Sequence, residues 1–190
     1  MELIFKKLNP ELADDFIHFF DFDAFSDHDE WDGCYCLESH LTKQENDQLW
    51  GHKEKRREKA EELIRAGIMT GYLIYDAYRV IGWCNTGDKT DYCSICEDEA
   101  YYTMDSEKGK VKIIYCIDIA PNYRGRGIAD LIVEKVIAEA KKEGFAYMEA
   151  YPFADKDFAF QYKGPFRLYE KHGFSLYRRL PDFYIMRKTL

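Results

Sequence analysis

The segment from Val111 to Tyr151 constrains this chain more than any other. It opens with Val111-Lys112-Ile113-Ile114-Tyr115-Cys116-Ile117-Asp118-Ile119. Such a β-rich, mostly apolar run suits an inner strand buried on both faces. After a loop, the apolar period changes to that of a helix over 128–142. Ile128, Leu131, Ile132, Val136 and Ala140 share one stripe, which Val133 and Ile137 widen. Gly144 closes the helix, and Phe145 to Tyr151 reads as strand again. A β–α–β unit of this kind demands two parallel neighbouring strands and a right-handed crossover.

The rest of the chain supplies antiparallel additions. Residues 2–7 read as a first strand. Asn9 and Pro10 form an N-cap and first-turn pair for a helix reaching about Phe20. Residues 21–42 look loop-rich, and 43–66 read as one charged helix ended by Gly67. Thr70 to Tyr75 and Val80 to Asn85 flank a turn and predict a hairpin. Residues 86–110 read as a polar, irregular insertion. A short helix near Phe166 to Lys171 and strands at about 174–179 and 183–188 complete the pattern. At 190 residues, with no repeat and no linker, one domain is expected.

The loop Ala120-Pro121-Asn122-Tyr123-Arg124-Gly125-Arg126-Gly127 carries the chemistry. Two glycines permit a tight turn and close backbone approach. The first-turn N–H groups of the following helix have no partner within it, and the helix dipole adds to their pull on anions. A pyrophosphate suits such a site. Gly125-x-Gly127 begins a dinucleotide fingerprint, with Glu149 at the distance of a ribose-reading acid, but Asp130 stands where its third glycine belongs.

Arg124-Gly125-Arg126-Gly127-Ile128-Ala129 matches the Arg/Gln-x-x-Gly-x-Gly/Ala signature of the GNAT acetyltransferase superfamily. Ile117-Asp118-Ile119-Ala120-Pro121-Asn122-Tyr123 resembles that family's fourth strand and lead-in. Leu168-Tyr169-Glu170-Lys171-His172-Gly173-Phe174 resembles its late Tyr-Glu-Lys-x-Gly-Phe motif. The resemblance is specific over 111–190 and architectural before that. It implies an α/β (α+β) fold with a mixed central sheet of about six to seven strands and a splayed cleft for acetyl-CoA. By the same resemblance, the pyrophosphate rests on Arg124, Gly125, Arg126, Gly127, Ile128 and Ala129. The pantetheine arm runs along Ile117, Asp118 and Ile119 like an added strand. Tyr169 is carried over as the acid that protonates the departing thiolate. The implied organisation is one domain over 1–190: acceptor-side elements in 1–67, hairpin and insertion in 68–110, cofactor half in 111–190.

The acceptor is read from charge. Net charge is −8, which argues against nucleic acid. From Leu8 to Thr42 there are ten acids and no Lys or Arg. Phenylalanines, Trp31 and Tyr35 interleave with them. Such a stretch is either a solvated face or the wall of a site for a cationic amine, with Trp31 or Tyr35 stacking on it. The base remains open between water, Tyr115 and an acid from residues 21–38. On strict alternation Ile113, Tyr115, Ile117 and Ile119 share one face, with Asp118 pointing away unless a bulge reverses it. Cys34, Cys36, Cys84, Cys93, Cys96 and Cys116 lack paired zinc knuckles, so no metal is assigned and reduced thiols are expected. No apolar run approaches a membrane span and the N-terminus lacks signal-peptide features, so a cytoplasmic location is expected, with homodimerisation left open. The reading is an acetyl-CoA-dependent N-acetyltransferase of a small-molecule amine. The alternatives are an acyl-CoA-binding module without turnover and a nucleotide-binding enzyme.

Overall fold

A computed structural model describes residues 2–157 and 161–190. Seven strands form one mixed sheet: β1 (Leu3–Lys7), β2 (Gly71–Asp76), β3 (Arg79–Asp88), β4 (Val111–Ile119), β5 (Tyr147–Ala150), β6 (Ser175–Arg179) and β7 (Tyr184–Thr189), in the order β1-β2-β3-β4-β5-β7-β6. Only β4 and β5 pair in parallel, and α5 (Ile128–Lys142) provides their crossover. This is the α/β architecture that the β–α–β unit demanded.

The parallel pairing stops early. Val111 to Ile114 pair with Tyr147 to Ala150, and beyond Ile114 the two strands part. The C-terminal half of β4 therefore shows an unpaired edge inside the sheet. Its other edge pairs with β3 through a bulge, where Asn85 faces Cys116 and Thr86 faces Ile114, leaving Tyr115 as the extra residue. One extra residue shifts the side-chain alternation by one step.

Two cores cover the sheet. On one face α1 (Ala13–His18), α3 (Lys53–Arg65) and the 24–41 segment pack Phe16, Phe19, Tyr35, Leu37 and Ile64 against Leu73, Trp83 and Ile113. On the other, α5 and α6 (Phe166–Lys171) pack Ile132, Val136, Leu168 and Tyr169 against Ile74, Cys84, Ile114 and Met148. The helical stripe of α5 holds except at Leu131, which is exposed. That residue lies one turn off the Ile128–Ile132–Val136–Ala140 line.

Three local readings change. The first helix does not stop as a regular α-helix but widens into a π turn over Phe19–Asp23, where the Ala24 N–H donates to the Phe19 carbonyl. The single charged helix is two, α2 (Lys43–Leu49) and α3, broken where Gly51 takes φ +77°. The 86–110 segment is less irregular than its polarity predicts. Strand β3 runs on to Asp88, and α4 (Cys93–Glu97) follows. Lys89 is buried, with Nζ donating to the Tyr101 carbonyl at 2.6 Å and to Glu149 at 2.8 Å.

Candidate active site

The loop before α5 has the expected backbone. Gly125 and Gly127 have φ of +72° and +76°, in the left-handed region that glycine enters without penalty. No Cβ would clash at either, so the backbone dihedral alone calls for glycine. Among the described residues, none of the N–H groups from Gly125 to Ala129 has a hydrogen-bond acceptor. They stand free at the positive end of a 15-residue helix. Asp130, in its first turn, accepts from Lys171 at 2.7 Å and contacts His172 at 2.9 Å, which ties α5 to α6.

The two arginines of the loop differ. Arg124 is committed: Nε donates to the Ile119 carbonyl at 2.8 Å, Nη1 to Asp27 at 2.6 Å and Nη2 to the Ala24 carbonyl at 3.1 Å. It clamps the acidic segment to the cofactor loop. Arg126 lies 5.3 Å from the Tyr123 ring centroid and is exposed.

Where β4 and β5 part, a cleft of about 280 Å³ opens between Ile117, Asp118, Ile119 and Ala129 on one side and Gly164, Pro165 and Leu168 on the other. Its expected pantetheine edge is internally satisfied. The Ile117 N–H donates to the Tyr162 carbonyl at 2.7 Å, and the Ile119 carbonyl accepts from Arg124. Tyr169 sits behind the cleft wall, buried, its hydroxyl donating to the Lys163 carbonyl at 2.6 Å. Gly164 is the thin part of that wall, since a Cβ there would lie 2.8 Å from the Tyr169 hydroxyl. Burial pushes the Tyr169 hydroxyl well above the usual tyrosine range, which keeps it protonated.

A second cavity, of about 400 Å³, opens on the opposite face of β4. Glu30, Trp31, Glu38, Trp50, Tyr115 and Cys116 are among its walls. Trp31 and Tyr162 line both spaces, so the two meet at those residues. The face assignment on β4 differs from strict alternation. Because of the bulge at Tyr115, Ile117 turns to the α5 side, while Tyr115 and Cys116 look toward the second cavity. Asp118, paired opposite Trp83, shares their side and accepts from the Cys116 thiol at 3.0 Å. Burial raises its carboxyl to about 6.

Half of the ten acids in the acidic stretch pair with Lys or Arg residues remote in sequence. Asp14 pairs with Arg65, Asp21 with Arg57, Asp23 with Arg79, Asp27 with Arg124 and Asp32 with Lys53. Glu30 meets His28 at 2.8 Å. Glu38 is exposed in the cavity, and its contact is the Tyr162 hydroxyl at 3.4 Å. Tyr35 cannot stack on a ligand: it is fully buried, with its hydroxyl on Asp21 at 2.5 Å. Trp31 lines the cavity wall with the His28 ring stacked on it at 3.8 Å. Glu149, the acid at ribose-reading distance, is buried with Lys89 and Thr103.

Sequence reasoning passed over Lys163. Its Nζ lies 4.1 Å from the Tyr115 ring centroid and 5.6 Å from that of Tyr162, and burial lowers its pKa to about 8. Tyr162 beside it in sequence did not mark it, because Tyr101, Tyr115 and Phe183, which complete its surroundings, come from distant segments.

The family model described as Acetyltransferase (GNAT) family matches residues 9–174. The chain belongs to the GNAT acetyltransferase family. Solved GNAT-fold structures agree over the whole length. PaiA N-acetyltransferase from Thermoplasma acidophilum, in complex with coenzyme A, is 13% identical with TM-score 0.59, covering 100% of both chains. A GNAT-family acetyltransferase from Streptococcus pneumoniae is 18% identical with TM-score 0.57, covering 100% of this chain and 99% of that one. YncA from Salmonella typhimurium, solved with its cofactor acetyl-CoA, is 12% identical with TM-score 0.55, covering 99% and 94%. At these identities the likeness is one of fold. No curated protein matches the sequence. Among the described residues, no helix is long and apolar enough to cross a membrane.

Proposed function

We propose that this GNAT chain is one N-acetyltransferase domain over residues 1–190 that moves an acetyl group from acetyl-CoA to a small cationic amine. The observation that carries the reading is the junction of two spaces at Trp31 and Tyr162: a cleft that runs from the parted strands to Arg124 and Ala129 of the glycine loop, and a cavity with an exposed carboxylate. The pyrophosphate takes the N–H groups of Gly125 to Ala129, with Arg126 beside them and Arg124 holding the loop. The pantetheine arm lies along Ile117 to Ile119, its amide carbonyl replacing that of Tyr162 on the Ile117 N–H. That exchange keeps the hydrogen-bond count level and moves the 161–164 segment aside. Relatives solved with coenzyme A or acetyl-CoA support the cofactor.

The acceptor enters the other cavity. Glu38 holds its ammonium and takes the proton that must leave before attack, and Trp31 packs against its carbon skeleton. Confinement of both reactants at the junction supplies much of the rate. The neutral amine nitrogen attacks the thioester carbonyl, the carbon–sulfur bond breaks, and the thiolate leaves with the Tyr169 proton, which the second proton lost from the nitrogen replaces. The Tyr169 hydroxyl reaches the sulfur once the Lys163 carbonyl has moved with its segment. A thiol-release assay with acetyl-CoA across mono-, di- and polyamines tests the reading. Release with di- or polyamines above anionic and neutral acceptors supports it. Coenzyme A binding with no release from any amine would instead favour a binding module, a reading that the engaged Ile117 N–H and Tyr169 hydroxyl also fit.

A further inference from the structure

The Cys34-Tyr35-Cys36 pair and the second pair at Cys93 and Cys96 do not form a site together. Cys93 and Cys96 are exposed on α4, whereas Cys36 is buried beneath the sheet face. The partners of Cys36 lie on β4. The bulge at Tyr115 brings Cys116 and Asp118 to the same side, and there they meet Cys36. The two sulfur atoms and an Asp118 carboxylate oxygen all lie within 4.8 Å of one another, and all three residues are buried. Asp118 accepts a single hydrogen bond among the described residues, from the Cys116 thiol.

Donor atoms this close need shifts of under about 1.5 Å to hold a thiophilic cation. Metal–sulfur bonds of about 2.3 Å and metal–oxygen bonds of about 2.1 Å in a tetrahedron put neighbouring donors roughly 3.5–3.8 Å apart. Two thiolates and a carboxylate select zinc-like ions over magnesium or calcium. The main chain around Cys36 is held before any ligand arrives. Arg56 donates to the Gly33 carbonyl at 2.8 Å and the Cys34 carbonyl at 2.9 Å, and Asn85 Nδ2 lies 3.1 Å from Cys36 Sγ. Tyr35 and Cys36 take φ of +44° and +51° in succession. Two adjacent non-glycine residues in that region carry backbone strain, and such conformations gather at functional sites. Cys34, Cys36 and Cys116 also line the acceptor cavity, which gives an ion a way in.

We propose that Cys36, Cys116 and Asp118 bind one thiophilic divalent cation, with the fourth position open to the cavity. Binding releases the two thiol protons to solvent and joins the 33–36 segment to β4. The proposal is independent of acetyl transfer and is tested without it.

The full chain, stripped with chelator and kept reduced, is titrated with Co²⁺ alone. One equivalent should bind, with a thiolate-to-cobalt charge-transfer band in the near ultraviolet and tetrahedral d–d bands, and Zn²⁺ should displace it. Loss of an outer hydrogen-bond partner of a metal ligand typically costs 10- to 100-fold in affinity, so Cys36→Ser or Cys116→Ser should cost about a hundredfold or more. A Cys93→Ser/Cys96→Ser double variant should bind like the parent. If Cys116→Ser does not fold, Cys36→Ser and Asp118→Asn decide. No thiolate–cobalt band in the parent chain would overturn the site. So would a band that disappears with Cys93 and Cys96 and survives in Cys36→Ser.

Discussion

The two cavities are built on opposite principles. The cleft proposed for the cofactor takes one wall from a continuous stretch, β4 through the start of α5, and the other from Gln161 to Leu168; its proposed anion site is main chain, N–H groups set by two left-handed glycines. The cavity proposed for the acceptor is lined by side chains from the 30–38 loop, the α2–α3 junction, β4 and Tyr162. Chemistry built on backbone needs a loop geometry that sequence-local rules encode. Chemistry built on side chains needs the fold first. The glycine loop is therefore legible in the sequence, while the partners of the acidic stretch are not. Of the ten acids in the stretch without Lys or Arg, half are in the folded chain paired with Arg57, Arg65, Arg79, Arg124 and Lys53.

The sharpest way to break this contrast is at the point where the two spaces meet. Tyr169→Phe keeps the ring and removes the proton donor. If Tyr169 is the acid, kcat should fall by roughly ten- to a thousandfold with little change in acetyl-CoA affinity. The lost bond to Lys163 should lower stability by only about 1 kcal/mol. An unchanged kcat where chemistry limits turnover removes Tyr169 from the mechanism.

Lys163 gives a pH test of the same junction. Its folded pKa of about 8 lies below that of an unfolded lysine, so the unfolded chain binds more protons at alkaline pH. Stability should therefore rise as pH increases through this range, with the penalty fully present below pH 8. From pH 7 to 9.5 the parent should gain about 2 kcal/mol relative to Lys163→Met in urea unfolding. Parallel pH profiles for the two proteins would show that Lys163 titrates normally.

At the backbone-built end, Gly127→Asp places a carboxylate beside the free N–H groups at a dihedral that aspartate tolerates better than most residues. Calorimetry should show coenzyme A binding weakened by about a hundredfold with the fold intact. Unchanged affinity would move the phosphates elsewhere. At the side-chain-built end, Glu38→Gln should lower kcat/KM for a diamine about tenfold. It should also flatten the fall of kcat/KM with rising salt that the parent shows. Asp23→Asn is the smallest effect and the control. Asp23 is already paired with Arg79, so kcat/KM should stay within about twofold and stability within about 1 kcal/mol. Equal losses from Glu38→Gln and Asp23→Asn would return the acidic stretch to being a general electrostatic face.

The sequence by itself determined the mixed sheet, the parallel crossover and the anion loop. Each rests on a local rule: the apolar run of β4, the 3.6-residue period of α5, the left-handed glycines. It also placed Tyr169 in the late helix and Gly173 just beyond its end. It could not determine which way Asp118 faces, because one bulged residue at Tyr115 inverts the alternation and that bulge arises from pairing with β3. Nor could it show that Tyr35 is core while Glu38 is open, that Arg124 is an internal clamp, or that Cys36 meets Cys116 and Asp118. Those facts depend on segments tens of residues apart arriving at one place, and only the packed sheet and its two cores bring them there.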